Sequence, residues 1–102
     1  MRHYDDDANI LRLHLVKRYI ELGYLTTIES LFPFLTKRFI AERAAIDYWR
    51  FLRLVRRPYK LTCMEAERLA RALDVTEEVF IKLLDNQLDE LYAKRKLFKN
   101  QK

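Results

Sequence analysis

Glycine and proline are almost absent: one Gly and two Pro in 102 residues, with one cysteine, two histidines and one serine. So few turn formers argue against an all-β fold, which needs many tight reversals. A lone Cys63 excludes an internal disulfide, and nothing asks for an oxidising compartment. His3, His14 and Cys63 cannot supply a zinc site at the usual ligand spacings. Ser30 has no nucleophile motif around it, and Gly23 alone cannot build a Gly-rich phosphate loop. No enzymatic activity, cofactor or metal site is therefore expected. Asp5, Asp6 and Asp7 read as helix-capping charge rather than a cation site, His14 as a core-edge side chain and Cys63 as an inert, half-buried thiol. No apolar run approaches the roughly 20 residues of a membrane span. The acidic start, Met1 to Asp7, lacks the basic flank and apolar core of a signal peptide. The expected location is cytoplasmic, with no membrane partner.

What is present points to helices. Half the residues are apolar and 34% are charged, a balance suited to one globular domain with one core. Leu, Arg, Lys, Glu and Ala dominate, all good helix formers. The fold class expected is all-α, with five or six short helices in a single domain over residues 1–92 and a basic tail over 93–102. The net charge of +5 is unevenly spread. Residues 36–60 carry eight basic and two acidic side chains, and residues 93–102 five basic and none acidic. Between them, residues 61–92 carry three basic and eight acidic. Basic blocks of this kind mark either a polyanion-binding face or an ordinary solvated one.

Periodicity and caps divide the chain. Residues 8–22 place Ile10, Leu13, Val16 and Ile20 on one stripe, with Leu11, Leu15 and Leu22 beside it and Gly23 as a C-terminal cap. Asp5 to Asp7 and Asn9 suit the positive end of that helix. Thr26-Thr27-Ile28-Glu29 has capping-box spacing and opens a short helix that stops at Phe32-Pro33. Thr36 caps a helix over 37–43, and Asp47 caps another over 48–56, ending before Arg57-Pro58. Thr62-Cys63-Met64-Glu65 is a second capping box, for a helix that turns Met64, Leu69, Ala70 and Leu73 inward. Asp74 and Thr76 reset the chain before a last helix with Val79, Phe80, Leu83, Leu84, Leu88 and Leu91, which frays near Ala93-Lys94-Arg95-Lys96.

The informative stretch runs from Thr36 to Leu54. Two short helices crossing steeply need a small residue at closest approach and a compact turn. The second helix needs apolar residues facing back to the core. Ala41, Ala45 and then Ile46, Phe51 and Leu54 meet those needs. With Thr36, Ile40-Ala41, Ala45, Ile46 and Asp47 in these positions, the chain resembles the phage-repressor-like (Cro and XRE type) helix-turn-helix family. Leu61-Thr62 and Glu65 to Val75 resemble that family's next helix and its Ala-Leu-Gly-Val-like ending. The resemblance covers about residues 36–84, with the helix-turn-helix at about 36–55, and residues 10–22 match the family's first helix. There are departures. Ala45 stands where the turn residue is usually Gly, Val55-Arg56-Arg57 replaces the family's Glu-x-Gly, and residues 24–35 form an insertion.

The resemblance implies a lambda-repressor-like fold and a DNA-binding regulatory or accessory protein. It turns Tyr48, Trp49, Arg50 and Arg53 outward, followed by Arg56 and Arg57. Arginine takes guanine's two major-groove acceptors bidentately, and aromatic rings pack on sugars or thymine methyls. Lys37 and Arg38 begin the preceding helix, where phosphate contacts are made. The partner expected is double-stranded DNA. A second copy of the chain or another protein is the alternative, docking on aromatic surface around Tyr24, Phe32, Phe34, Tyr48 and Trp49. The tail residues Lys94, Arg95, Lys96, Lys99 and Lys102 read as an electrostatic arm or a basic extension of the last helix.

Overall fold

The computed structural model describes residues 7–100, with side chains described for residues 7–94. His3, Asp5 and Asp6 lie outside the described residues, as does Lys102. The architecture is all-helical: α1 (Asp7–Glu21), α2 (Lys37–Arg43), α3 (Tyr48–Arg56), α4 (Cys63–Ala72) and α5 (Glu77–Asn100). Single 3-10 turns at Glu29–Leu31 and Pro58–Lys60 fill the connections before α2 and after α3. No Gly or Pro interrupts the last helix after Thr76, and it continues through 93–100, so of the two readings of the basic tail these residues follow the helical extension.

Local chemistry sets the starts of these helices. Thr36 lies in the extended region and its hydroxyl accepts from the Phe39 amide at 3.0 Å. Asp47 accepts from the Arg50 amide at 3.1 Å. Thr62 and Glu65 form the full reciprocal box, satisfying two donors that a helix start leaves open. The box expected at Thr26 and Glu29 is shifted by one residue. Thr27 and Ser30 exchange backbone and hydroxyl hydrogen bonds instead, because the Glu29 amide is claimed from elsewhere in the fold.

Three helices end alike. After α1, α2 and α4 the chain enters the left-handed region at Gly23 (φ 84°), Ala45 (φ 58°) and Asp74 (φ 60°). In each case the following amide reaches back five residues: Tyr24 to Tyr19 O, Ile46 to Ala41 O and Val75 to Ala70 O, at 2.9–3.0 Å. This 6→1 closure satisfies the last carbonyls and reverses the chain within two residues. Ala45 adopts that conformation without glycine's freedom. The ends of α2 and α4 are also tied to each other. Arg43 donates from Nε to the Ala72 carbonyl at 2.8 Å, and Arg68 donates to the Ala45 carbonyl at 3.4 Å.

The core draws on every helix: Leu13, Val16 and Ile20 from α1, Phe39 to Ala41 from α2, Phe51 and Leu54 from α3, Ala66, Leu69 and Ala70 from α4, and Phe80 and Leu83 from α5. Leu25, Ile28, Leu31 and Leu35 bury the 24–35 segment into the same core. Met64 is exposed rather than inward. It lies five and six residues before Leu69 and Ala70, on the opposite side of α4 from the buried stripe. Cys63 beside it is exposed too, not half-buried. Leu11 and Leu22 also face solvent. Two polar side chains on α5 fasten the 24–35 segment. Buried Gln87 accepts from the Glu29 amide at 2.8 Å, and Asn86 donates to the Thr26 carbonyl at 2.8 Å. Among the described residues, no helix is long and apolar enough to cross a membrane.

Candidate functional site

Packing of Phe51 and Leu54 into the core fixes which way α3 presents its other side chains. With 3.6 residues per turn, positions 49, 53 and 56 fall on the opposite stripe. Trp49, Arg53 and Arg56 are all exposed, Trp49 to 66%. On one side of this stripe lies a depression of about 400 Å³ lined by Lys37, Trp49, Leu52, Arg53, Val55 and Arg56. On the other lies one of about 280 Å³ lined by Arg50, Arg53, Leu54, Arg56, Arg57 and Lys60. Arg53 and Arg56 are the wall between them. Neither depression is lined by an Asp or Glu.

The other sequence-derived candidates are held in place by rings. The Arg38 guanidinium lies 4.2 Å from the centroid of the Tyr48 ring, which stands edge-on to Trp49 at 5.5 Å. The Lys37 ammonium lies 5.2 Å from the Phe32 ring centroid. These contacts orient both cations while leaving the residues exposed. Tyr48 is half-buried against the core, so its ring supports Arg38 and Trp49. The 24–35 segment leaves Trp49 exposed and packs elsewhere. Phe32 stands edge-on to Phe51 at 6.3 Å, and Phe34 and Tyr24 stand edge-on to Tyr19 at 5.9 and 5.8 Å.

Arg50 has a different environment from the other arginines of α3. Its Nε and Nη2 donate to the two carboxylate oxygens of Glu65, each at 2.9 Å, and Nη2 also reaches the Lys60 carbonyl at 3.3 Å. The same carboxylate accepts from the Thr62 amide and hydroxyl at 3.1 and 3.2 Å. Hydrogen bonds from Arg50, with further support from Thr62, hold the Glu65 carboxyl down at about 2, against the opposing effect of its burial. Pairing with Glu65 likewise raises the Arg50 pKa. The planar fork expected to face a base is thus occupied inside the protein, although Arg50 still lines the same depression as Arg53. Its geometry joins α3 to the start of α4 and to the 3-10 turn between them.

Sequence reasoning did not select Lys60 or Leu52. Lys60 enters the basic face because Arg57-Pro58 folds the chain back in a 3-10 turn, and the proline after two arginines was the available signal. Comparison of the chain with known protein families, with curated proteins and with solved structures finds no match.

Proposed function

We propose that the protein binds duplex DNA through the exposed face of α3, as a regulatory or accessory factor with a lambda-repressor-like arrangement of helices. The observation that carries this reading is the basic lining of two adjoining depressions along α3: Lys37, Arg53 and Arg56 line the first with Trp49, Arg53, Arg56, Arg57 and Lys60 line the second, and neither lining includes an acidic side chain. A nine-residue helix bearing such a stripe fits the width of a major groove. In this reading Arg53 reads base edges and Trp49 makes apolar contact with a sugar or thymine methyl. Lys37, Arg56, Arg57 and Lys60 meet phosphates. Arg50 positions α3 through Glu65 and is not itself a reader.

The test is binding to labelled duplex DNA across a series of salt concentrations. Four phosphate contacts give a slope of about −4 in log affinity against log salt. Absence of salt-dependent binding to any duplex would falsify the proposal. A second reading is favoured by one specific observation, the 66% exposure of Trp49 beside Tyr48. Aromatic anchors of this kind concentrate binding energy at protein interfaces. That reading expects Trp49→Ala to abolish capture of a protein partner while the protein retains no affinity for DNA.

A further inference from the structure

The larger depression beside α3, about 400 Å³, offers more than phosphate contacts require. Its lining combines two chemistries. Lys37, Arg53 and Arg56 supply cations, and Trp49, Leu52 and Val55 supply apolar surface. Phosphates use only the cations. The apolar half suits another occupant, and the volume lies in the range of small-ligand pockets, well beyond what one thymine methyl fills. Trp49 is held ready for it. The indole stands edge-on to Tyr48 at 5.5 Å, and Tyr48 is itself fixed by the core and by the Arg38 guanidinium over its ring. The indole nevertheless remains exposed. A rigid, accessible aromatic ring among cations matches a planar ring flanked by negative charge, which is a nucleobase with its neighbouring phosphates.

A base inside a paired duplex has no face to offer, because its neighbours stack on both sides. A free nucleotide is a poor match as well. Small ligands are bound largely by enclosure, and this depression is open, with Trp49, Arg53 and Arg56 all exposed. Affinity therefore has to come from the backbone on either side of the base. Cations flank both sides of the α3 ridge, Lys37 on one and Arg57 and Lys60 on the other, with Arg53 and Arg56 between. Two rows of charge suit the two backbones of a duplex better than a single strand.

We propose that the depression beside Trp49 receives a nucleobase displaced from the stack of an otherwise paired duplex, as in a bulge. The base lies against the indole, beside Leu52 and Val55, while Lys37, Arg53 and Arg56 meet the phosphates around it. A bulged nucleotide is already unpaired, so little unstacking opposes its capture. On fully paired DNA Trp49 keeps only its sugar or methyl contact. The inference rests on α3 being the nucleic-acid face and adds the form of DNA that the face prefers.

Trp49 is the sole tryptophan of the chain, so its emission reports stacking directly. Duplexes of one sequence are titrated in three forms: fully paired, with an unpaired adenosine, and with an abasic residue in place of that adenosine. The unpaired adenosine should quench the indole and bind at least about fivefold more tightly than the paired duplex. The abasic form carries the same phosphates without the ring and should lose both the gain and the quenching. Trp49→Leu, followed by the anisotropy of labelled DNA, should bind the three forms alike, and Trp49→Phe should recover part of the preference. Both variants replace an exposed side chain, and far-UV circular dichroism checks that the helices persist. Equal affinity for the paired and bulged duplexes overturns the inference. So does a preference that survives in the abasic form or in Trp49→Leu, or a single strand of the same sequence that binds more tightly than the bulged duplex. In those cases salt-dependent binding of the paired duplex leaves the reading of α3 in place, whereas no binding to any form removes both.

Discussion

Arg50 and Glu65 form a two-pronged ion pair, Nε to Oε2 and Nη2 to Oε1, each 2.9 Å long, between the middle of α3 and the first turn of α4. The carboxylate titrates at about 2 in the folded protein, below its ordinary 4.5. A depressed carboxyl pKa contributes stability that is complete above the unfolded value and lost as pH falls through the folded one. The window is therefore about pH 4.5 down to 2, and the contribution lost is at most about 3 kcal/mol. Urea unfolding from pH 6 to pH 2.5 should show a loss in the wild type that is smaller in Glu65→Gln. Equal acid sensitivity in the two proteins would show that the pair does not contribute as its geometry implies.

Ala45 sits at φ 58° in the turn that aims α3. Glycine reaches that conformation without the Cβ clash, so Ala45→Gly should stabilise the protein by about 0.5–1 kcal/mol. At Asp74, φ 60°, the gain should be smaller. Aspartate tolerates the left-handed region better, and Asp74 also accepts from Lys17 at 3.2 Å. Thermal melts of Ala45→Gly and Asp74→Gly, compared with the wild type, decide the order.

Gln87 is 1% exposed and its carbonyl oxygen accepts the Glu29 amide. Gln87→Leu keeps the volume but removes that acceptor, which should cost about 1–3 kcal/mol. The accompanying signature is specific. The Glu29 amide should exchange with deuterium far faster in the variant, while core amides of α4 slow or quicken only with global stability. Unaltered exchange at Glu29 would mean that water replaces the glutamine without loss.

Arg53→Lys keeps the charge of the stripe and removes the planar fork. On a site selected from random duplexes it should reduce preference over scrambled DNA by about 1–3 kcal/mol, with nonspecific affinity nearly unchanged. Lys37→Ala should weaken both kinds of binding together and flatten the salt slope by about one. Arg50→Lys offers a contrast. It should lower stability through the Glu65 pair more than it changes base preference.

Much of the backbone could be read locally. Thr36, Asp47 and the Thr62–Glu65 box act within three residues of themselves, so they fix the starts of α2, α3 and α4 without tertiary help. Gln87 could not be read. Its partner lies 58 residues away, and a glutamine in a helix of charged neighbours carries no pattern that marks it as buried. The same distance effect hid the environment of Arg50. Glu65 was identifiable as a capping residue, but that one carboxylate also faces α3 depends on how α3 and α4 pack. Met64, by contrast, was misjudged although its position relative to Leu69 and Ala70 contained the answer.

The crossed arginines at the ends of α2 and α4 bear on how the molecule opens. Arg43 holds the carbonyl of Ala72, and Arg68 holds that of Ala45. A fluctuation that peels the turn after α2 away carries Arg43 with it, and the end of α4 loses its donor in the same event. The two turns then belong to one cooperative unfolding unit with a shared opening free energy. The aim of α3 therefore depends not only on the four residues that precede it but also on the integrity of a helix that begins seven residues beyond its end.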